Sequence, residues 1–168
     1  MAFLPDNYTL NTSNGGNYLK VQDWDTIKIR ILTDSITWWE YFRIDGEKVT
    51  PVRQQKPFDW IPNDSKDGAK PKEFWAFGVY NYEEKRVQLW EVTQWTIKQV
   101  LFNLYKDPDF WDPKWYDIKI SRTWKWLDTK YNVVPLNKWE FKDKEIIAEA
   151  KAIRLDALYD NDDPFKPF

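Results

Sequence analysis

The sequence predicts an all-β fold with one or two helices, arranged as a small antiparallel barrel, and three observations carry that expectation. Short segments alternate apolar and polar residues with period two, as in Ile27-Lys28-Ile29-Arg30-Ile31, the mark of strands with one buried face. Turn-forming residues bracket these segments at hairpin spacing, with Asp45-Gly46 the strongest signal. The order is strands, hairpin, helix and closing hairpin, without the βαβ rhythm of a parallel sheet. With 168 residues the chain fits one core.

Residues 1–25 are polar and turn-rich and read as an N-terminal arm with a short ordered piece over 18–21. Residues 26–140 hold the barrel. Strands are expected over 26–32 and 36–44, with 48–53 returning from Asp45-Gly46. Residues 56–72 contain three prolines, three aspartates and Gly68, so they read as a long mobile surface loop, the best candidate for a flap. Segments 73–82 and 86–93 form the clearest hairpin, in a register that sets Tyr82 against Arg86, Val79 against Leu89 and Gly78 against Trp90. A glycine there leaves room for the indole to lie flat. Residues 94–105 place Ile97, Val100, Leu101 and Leu104 at helical spacing and stop near Asp107-Pro108. Segments 117–124 and 130–135 supply the closing hairpin, with 124–129 at its tip, and residues 141–159 a C-terminal helix.

Cysteine and histidine are absent, which removes disulfides, thiolate nucleophiles, imidazole bases and nearly every zinc or redox-metal site. No cofactor is expected, although a Mg²⁺ or Ca²⁺ site of carboxylates stays open. No carboxylate spacing marks a hydrolase, so no enzyme is expected. There is no run of about 18 apolar residues and no signal-peptide pattern, so a soluble cytoplasmic protein without membrane contact is expected.

Twelve tryptophans, nine tyrosines and ten phenylalanines are more than a core of this size needs. Some belong on a working surface for bases, sugars or a protein partner. Basic residues interleave with them. Candidate nucleic-acid contacts are Lys28, Arg30, Trp38, Trp39, Tyr41, Arg43 and Arg53 in the first half of the chain. In the second half they are Tyr80, Tyr82, Lys85, Arg86, Trp90, Lys119, Arg122, Trp124 and Trp126. Stacking contributes about 1–3 kcal/mol per base while Lys and Arg follow the backbone. About half of the aromatics are expected in the core, with Phe42, Trp75, Phe77 and Phe102 foremost. Trp38 and Trp39 are neighbours on a strand and point to opposite faces.

The end of the chain, residues 160–168, carries Asp160, Asp162 and Asp163 with Pro-Phe steps at Phe165 and Phe168. It is either an ordinary solvated acidic end or a docking peptide for replication and recombination proteins, with either phenylalanine as its anchor. Without residues 156–168 the chain has 24 basic and 23 acidic residues, so the net charge of −2 resides in the tail. A tail that screened a basic groove would weaken DNA binding, and its removal would tighten it.

The tip Asp162-Asp163-Pro164-Phe165 resembles that of bacterial single-stranded DNA-binding proteins, extended here by Lys166-Pro167-Phe168. The segments FWAFGVYNY at 74–82 and VQLWEVTQ at 87–94, followed by a helix, resemble a family of bacteriophage single-stranded DNA-binding proteins. So do Tyr18-Leu19-Lys20, Ile27 to Leu32, Trp39-Glu40-Tyr41-Phe42, Pro51-Val52-Arg53, residues 116–122 and Thr129-Lys130-Tyr131, in that order. The resemblance spans roughly residues 18–135. It implies an OB-fold, a five-stranded antiparallel Greek-key barrel, and sequence-tolerant binding of single-stranded DNA in phage replication or recombination. Some such proteins hold a structural zinc, which this chain cannot, and where others have hairpin glycines it has Trp124-Lys125-Trp126. A carbohydrate-binding module and a phage structural or interaction protein, including a homo-oligomer, are the alternatives.

Overall fold

β1 (Thr26–Ile31) and β2 (Ile36–Asp45) lie end to end along one edge of β4 (Lys72–Asn81), and that arrangement organises the chain. The computed structural model describes residues 16–125 and 127–166, with Lys125 by its backbone only. β4 pairs with β2 through residues 72–76 and with β1 through residues 79–81, antiparallel in both cases. β3 (Lys48–Gln54) returns along β2, and β5 (Arg86–Val92) covers the other edge of β4. β6 (Tyr116–Lys125) pairs with the free edge of β1, and β7 (Asp128–Lys138) with β6. The result is a mostly antiparallel seven-stranded sheet, ordered β3-β2-β4-β1-β6-β7 with β5 beside β4.

The strand count corrects the expected five. Among the described residues no ladder joins β7 to β3 or β5, so the sheet is open rather than closed into a barrel. The extra strands are the β2–β3 hairpin, which turns at Gly46 with φ +62°, a conformation that glycine adopts without penalty.

Both faces are packed. Ile27, Ile29 and Ile31 of β1, Phe77 and Val79 of β4, Trp90 and Val92 of β5, and Ile118 and Ile120 of β6 form one core with Ile97 and Leu101 of α1 (Trp95–Lys106). The opposite face of β4 and β5 is covered by α2 (Lys144–Lys151) and a 3-10 helix at Leu155–Asp160, burying Trp38, Leu89, Ala150, Ile153 and Leu158. α2 is capped by Asp143, whose carboxylate accepts from the Glu145 and Ile146 amides.

Several expectations change here. In the β4–β5 hairpin Asn81, not Tyr82, pairs with Arg86, so Gly78 faces Leu89 and Phe77 faces Trp90. The space over Gly78 serves helix packing, not an indole: a Cβ there would lie 3.0 Å from Thr33 Cγ2 and 3.4 Å from both Ile153 Cδ1 and the Ala150 carbonyl. The single helix expected over 141–159 is two shorter ones with a break at Ala152–Arg154, because Leu155 and Leu158 reach the sheet only after the chain turns. Phe42 and Phe102, expected inside, are about half exposed. The loop over 56–72 is tied down along β2. Ile44 N donates to the Asp64 carbonyl at 2.9 Å, Tyr41 Oη to Asp64 Oδ1 at 3.1 Å, and the buried Ser65 bridges Arg43.

The acidic end is folded. Asp162 N donates to the Ala157 carbonyl at 3.0 Å, Arg154 N to the Pro164 carbonyl at 2.9 Å, and Phe165 packs edge-on against Tyr18 at 5.9 Å. Phe168 and Trp126 lie outside the described residues, as do residues 1–15 of the arm. Among the described residues no helix is long and apolar enough to cross a membrane.

Candidate nucleic-acid interface

β1 alternates isoleucines into the α1 core, so Lys28 and Arg30 must emerge on the other face, where β6 presents Asp117 and Lys119. Arg30 and Asp117 are cross-strand partners, 1% and 2% exposed. Arg30 Nη1 donates to Asp117 Oδ1 at 3.1 Å, Nε to the Lys114 carbonyl at 3.0 Å, and Nη2 to the Trp139 carbonyl. Asp117 also accepts from Tyr82 Oη at 2.8 Å and from Trp139 Nε1 at 2.7 Å, with Lys28 Nζ at 3.6 Å. Burial, and then the bond to Asp117, push the Tyr82 phenol far above its usual range, so it remains a donor.

This network aims Trp139. Asp117 holds its indole N–H, and the Arg30 guanidinium lies 4.7 Å from its ring centre, yet 46% of the residue is exposed. The ring is a fixed plate with area open to a ligand. Trp139 N donates to the Trp115 carbonyl at 3.2 Å, which brings a second half-exposed indole alongside. Lys138 Nζ lies 5.8 Å from the Trp115 ring centre, and Trp111 stacks on Trp115 at 6.4 Å and 14°. Trp111 has φ +60°, an unusual conformation for a large side chain.

A cleft of about 600 Å³ opens here, with Arg30, Lys114, Lys138 and Lys151 beside Trp115 and Trp139, and Glu140 as its one acid. Lys114 is held by Asp34, and by Asp112 at 3.5 Å. Its hydrogen bond to Asp34 raises the ammonium pKa and lowers that of Asp34. Along the same face Lys28 sits directly opposite Lys119, which is opposite Val134. Like charges in a cross-strand pair repel, and an anion lying between them would relieve the repulsion.

Of the sequence candidates, the fold brings Lys28, Arg30, Tyr80, Tyr82 and Lys119 to this strip, with Arg30 as buried support. Tyr80 and Tyr82 pack edge to face at 5.0 Å, and Tyr80 leads through Phe141 to Trp139. Trp38 and Trp90, at 0% and 3% exposure, belong to the cores and cannot stack on a ligand. Arg53 serves the fold, donating to Glu40 and to the Leu158 carbonyl. Half-buried Trp39 and Tyr41 and exposed Arg43 sit on the β2–β3 hairpin, beyond the cleft. Lys85 and Arg86 are at the β4–β5 turn, where Arg86 donates to Asn17. Arg122 faces the α1 side with Asp23 at 2.9 Å, and Trp124, half exposed, follows it on that face. Asp160, Asp162 and Asp163 are exposed, and Phe165 is half-buried against Tyr18.

Trp111, Lys114, Trp115, Lys138 and Trp139 were missed by the sequence reading. The signal was present in Phe110-Trp111-Asp112-Pro113-Lys114-Trp115: tryptophans in a turn-rich stretch without periodicity have no place in a core. Compared with family models, with curated proteins and with solved structures, the chain matches none.

Proposed function

We propose that this chain binds single-stranded DNA without sequence preference, as an OB-type protein of phage replication or recombination working in the host cytoplasm. Binding is an equilibrium with no covalent chemistry. The observation that carries the reading is Trp139, an exposed indole fixed by Asp117 and Arg30 in a cleft of three further cations. Bases stack on Trp139 and Trp115 while Lys138, Lys151, Lys28 and Lys119 take phosphates. The order β1, β4–β5 hairpin, α1, β6–β7 hairpin supports the OB-type reading, with β2–β3 as an added hairpin.

Anisotropy of labelled oligo-dT tests it. Binding is expected at low salt and should weaken as salt rises. Trp139→Ala should lower affinity about tenfold, the equivalent of about 1.4 kcal/mol. Lys119→Ala should weaken binding uniformly and reduce the salt slope by about 1. No binding at low salt overturns the proposal, and glycan binding in its place would favour a carbohydrate module.

One observation favours a second activity as an interaction protein. Phe42, Ile44 and Val49 are exposed on the β2–β3 hairpin, whose outer strand has an unpaired edge among the described residues. Light scattering on the wild type and on Ile44→Lys would show whether copies associate there.

A further inference from the structure

The loop over 56–72 carries lysines in fixed places. Ser65 Oγ donates to the Ala69 carbonyl at 2.7 Å, and the contacts of Asp64 tie the same turn to β2. Lys66 and Lys70 of this loop stand with Lys72 of β4 around a cleft of about 360 Å³ that also holds Phe42 and Phe74. All three lysines are exposed, and none pairs with a carboxylate among the described residues. Of the acids lining the cleft, Glu40 is buried and taken by Arg53, which leaves Asp67.

Arg53 also borders a second cleft, of about 430 Å³, whose sign is opposite. Glu91, Asp162 and Asp163 line it with Phe165, and Asp160 is exposed two residues earlier. Arg154 reaches Asp162 at 4.0 Å, and Lys166 is the one lysine of the segment, so the acids are in excess. The Glu40–Arg53 pair is the shared wall of the two clefts, and β5 runs beneath both, with Glu91 in one and Thr93, just past its end, in the other.

A polyanion on the lysines would be repelled by the acids alongside, and a polycation on the acids by the lysines. A surface with both signs side by side matches its own rotated copy, because in a two-fold interface residue i meets j and j meets i. We propose that two copies of this chain pair through this face. The Asp160–Asp163 corner of each enters the lysine cleft of the other, and the half-exposed ring of Phe42 supplies the apolar contact. None of the residues around Trp139 lines either cleft, and the surface is distinct from the hairpin edge with Ile44 and Val49. Exposed ion pairs are individually weak and screened by salt, so the dimer is salt-sensitive.

Light scattering on the full chain reads the mass. Twice the monomer mass is expected at low salt, and the monomer mass in about 1 M salt, where the screening length falls to about 3 Å. Lys70→Glu with Lys72→Glu in one chain, and Asp160→Lys with Asp163→Lys in another, should each be monomeric alone, because each sets like charges face to face. Mixed in equal amounts they should recover the double mass, which also shows that both variants fold. The milder Lys70→Gln should raise the dissociation constant several-fold, and Ile44→Lys should leave the dimer intact. A wild type that is monomeric at low salt, reversal variants that still pair, or open assemblies larger than two overturn the inference and leave the DNA-binding proposal standing. Loss of pairing in Ile44→Lys but not in the reversal variants overturns it in favour of the hairpin edge.

Discussion

Asp117 shows how much one buried carboxylate can organise. It anchors Arg30, Tyr82 and Trp139 and sits near Lys28, so it supports two strands and the proposed stacking plate together. Removing one partner of a buried ion pair leaves the other uncompensated and costs about 3–5 kcal/mol. Asp117→Ala should lower stability by that order in urea unfolding, whereas Trp139→Ala, at a half-exposed ring, should reduce DNA affinity far more than stability. Tyr116 is a second residue with a measurable signature. Burial pushes its phenol from 10.0 up to about 12, and Tyr82 is raised too. Above pH 10 the unfolded chain loses these protons before the folded one does, so the stabilisation is complete below pH 10 and fades toward pH 12. Melting temperatures should fall across that window, and Tyr116→Phe should flatten part of the decline.

At the scale of elements, the close approach of α2 to β4 depends on Gly78. Its amide donates to Thr33 Oγ1 at 2.8 Å while Ile153 and Ala150 close over it. A methyl group would press on Thr33 and on backbone, and overpacking of this kind costs about 1–3 kcal/mol. Gly78→Ala should therefore lower the melting temperature, Gly78→Leu more so, and neither should alter the lysines of the cationic strip. The two halves of β4 explain why its glycine cannot be exchanged freely: one edge is shared by β1 and β2, the other belongs to β5, and both faces are covered.

For the whole molecule, the C-terminal segment is part of the second core. Ala157 and Leu158 are each 3% exposed, Tyr159 meets Trp38 edge to face at 6.5 Å, and the Leu158 carbonyl accepts from Arg53. A chain ending at Arg154 should lose at least the roughly 2–5 kcal/mol of emptying one buried leucine site, read as a lower urea midpoint. Beyond that core, the described residues 160–166 meet Tyr18, Arg154, Ala157 and Leu158, none of which lines the cationic cleft. Tighter DNA binding on truncation would show that it screens the strip from a distance through its charge.

The sequence by itself determined what is local. Period-two alternation marked β1 and β6, β-forming residues and hairpin spacing marked β2 and β5, Asp45-Gly46 marked the β2–β3 turn, and helical spacing marked α1 to within a residue or two. These patterns record which side of an element is apolar, and that is set within a few residues of chain. Only the tertiary structure decided which face of each strand remained open. Arg30 and Lys28 read alike in the sequence, yet one is buried against Asp117 and the other is partly exposed, because Asp117 is 87 residues from Arg30 along the chain. Likewise Trp38 and Trp139 are equally conspicuous as letters. One is sealed by a C-terminal segment more than a hundred residues away, while the other is held at the surface by contacts that no local pattern encodes.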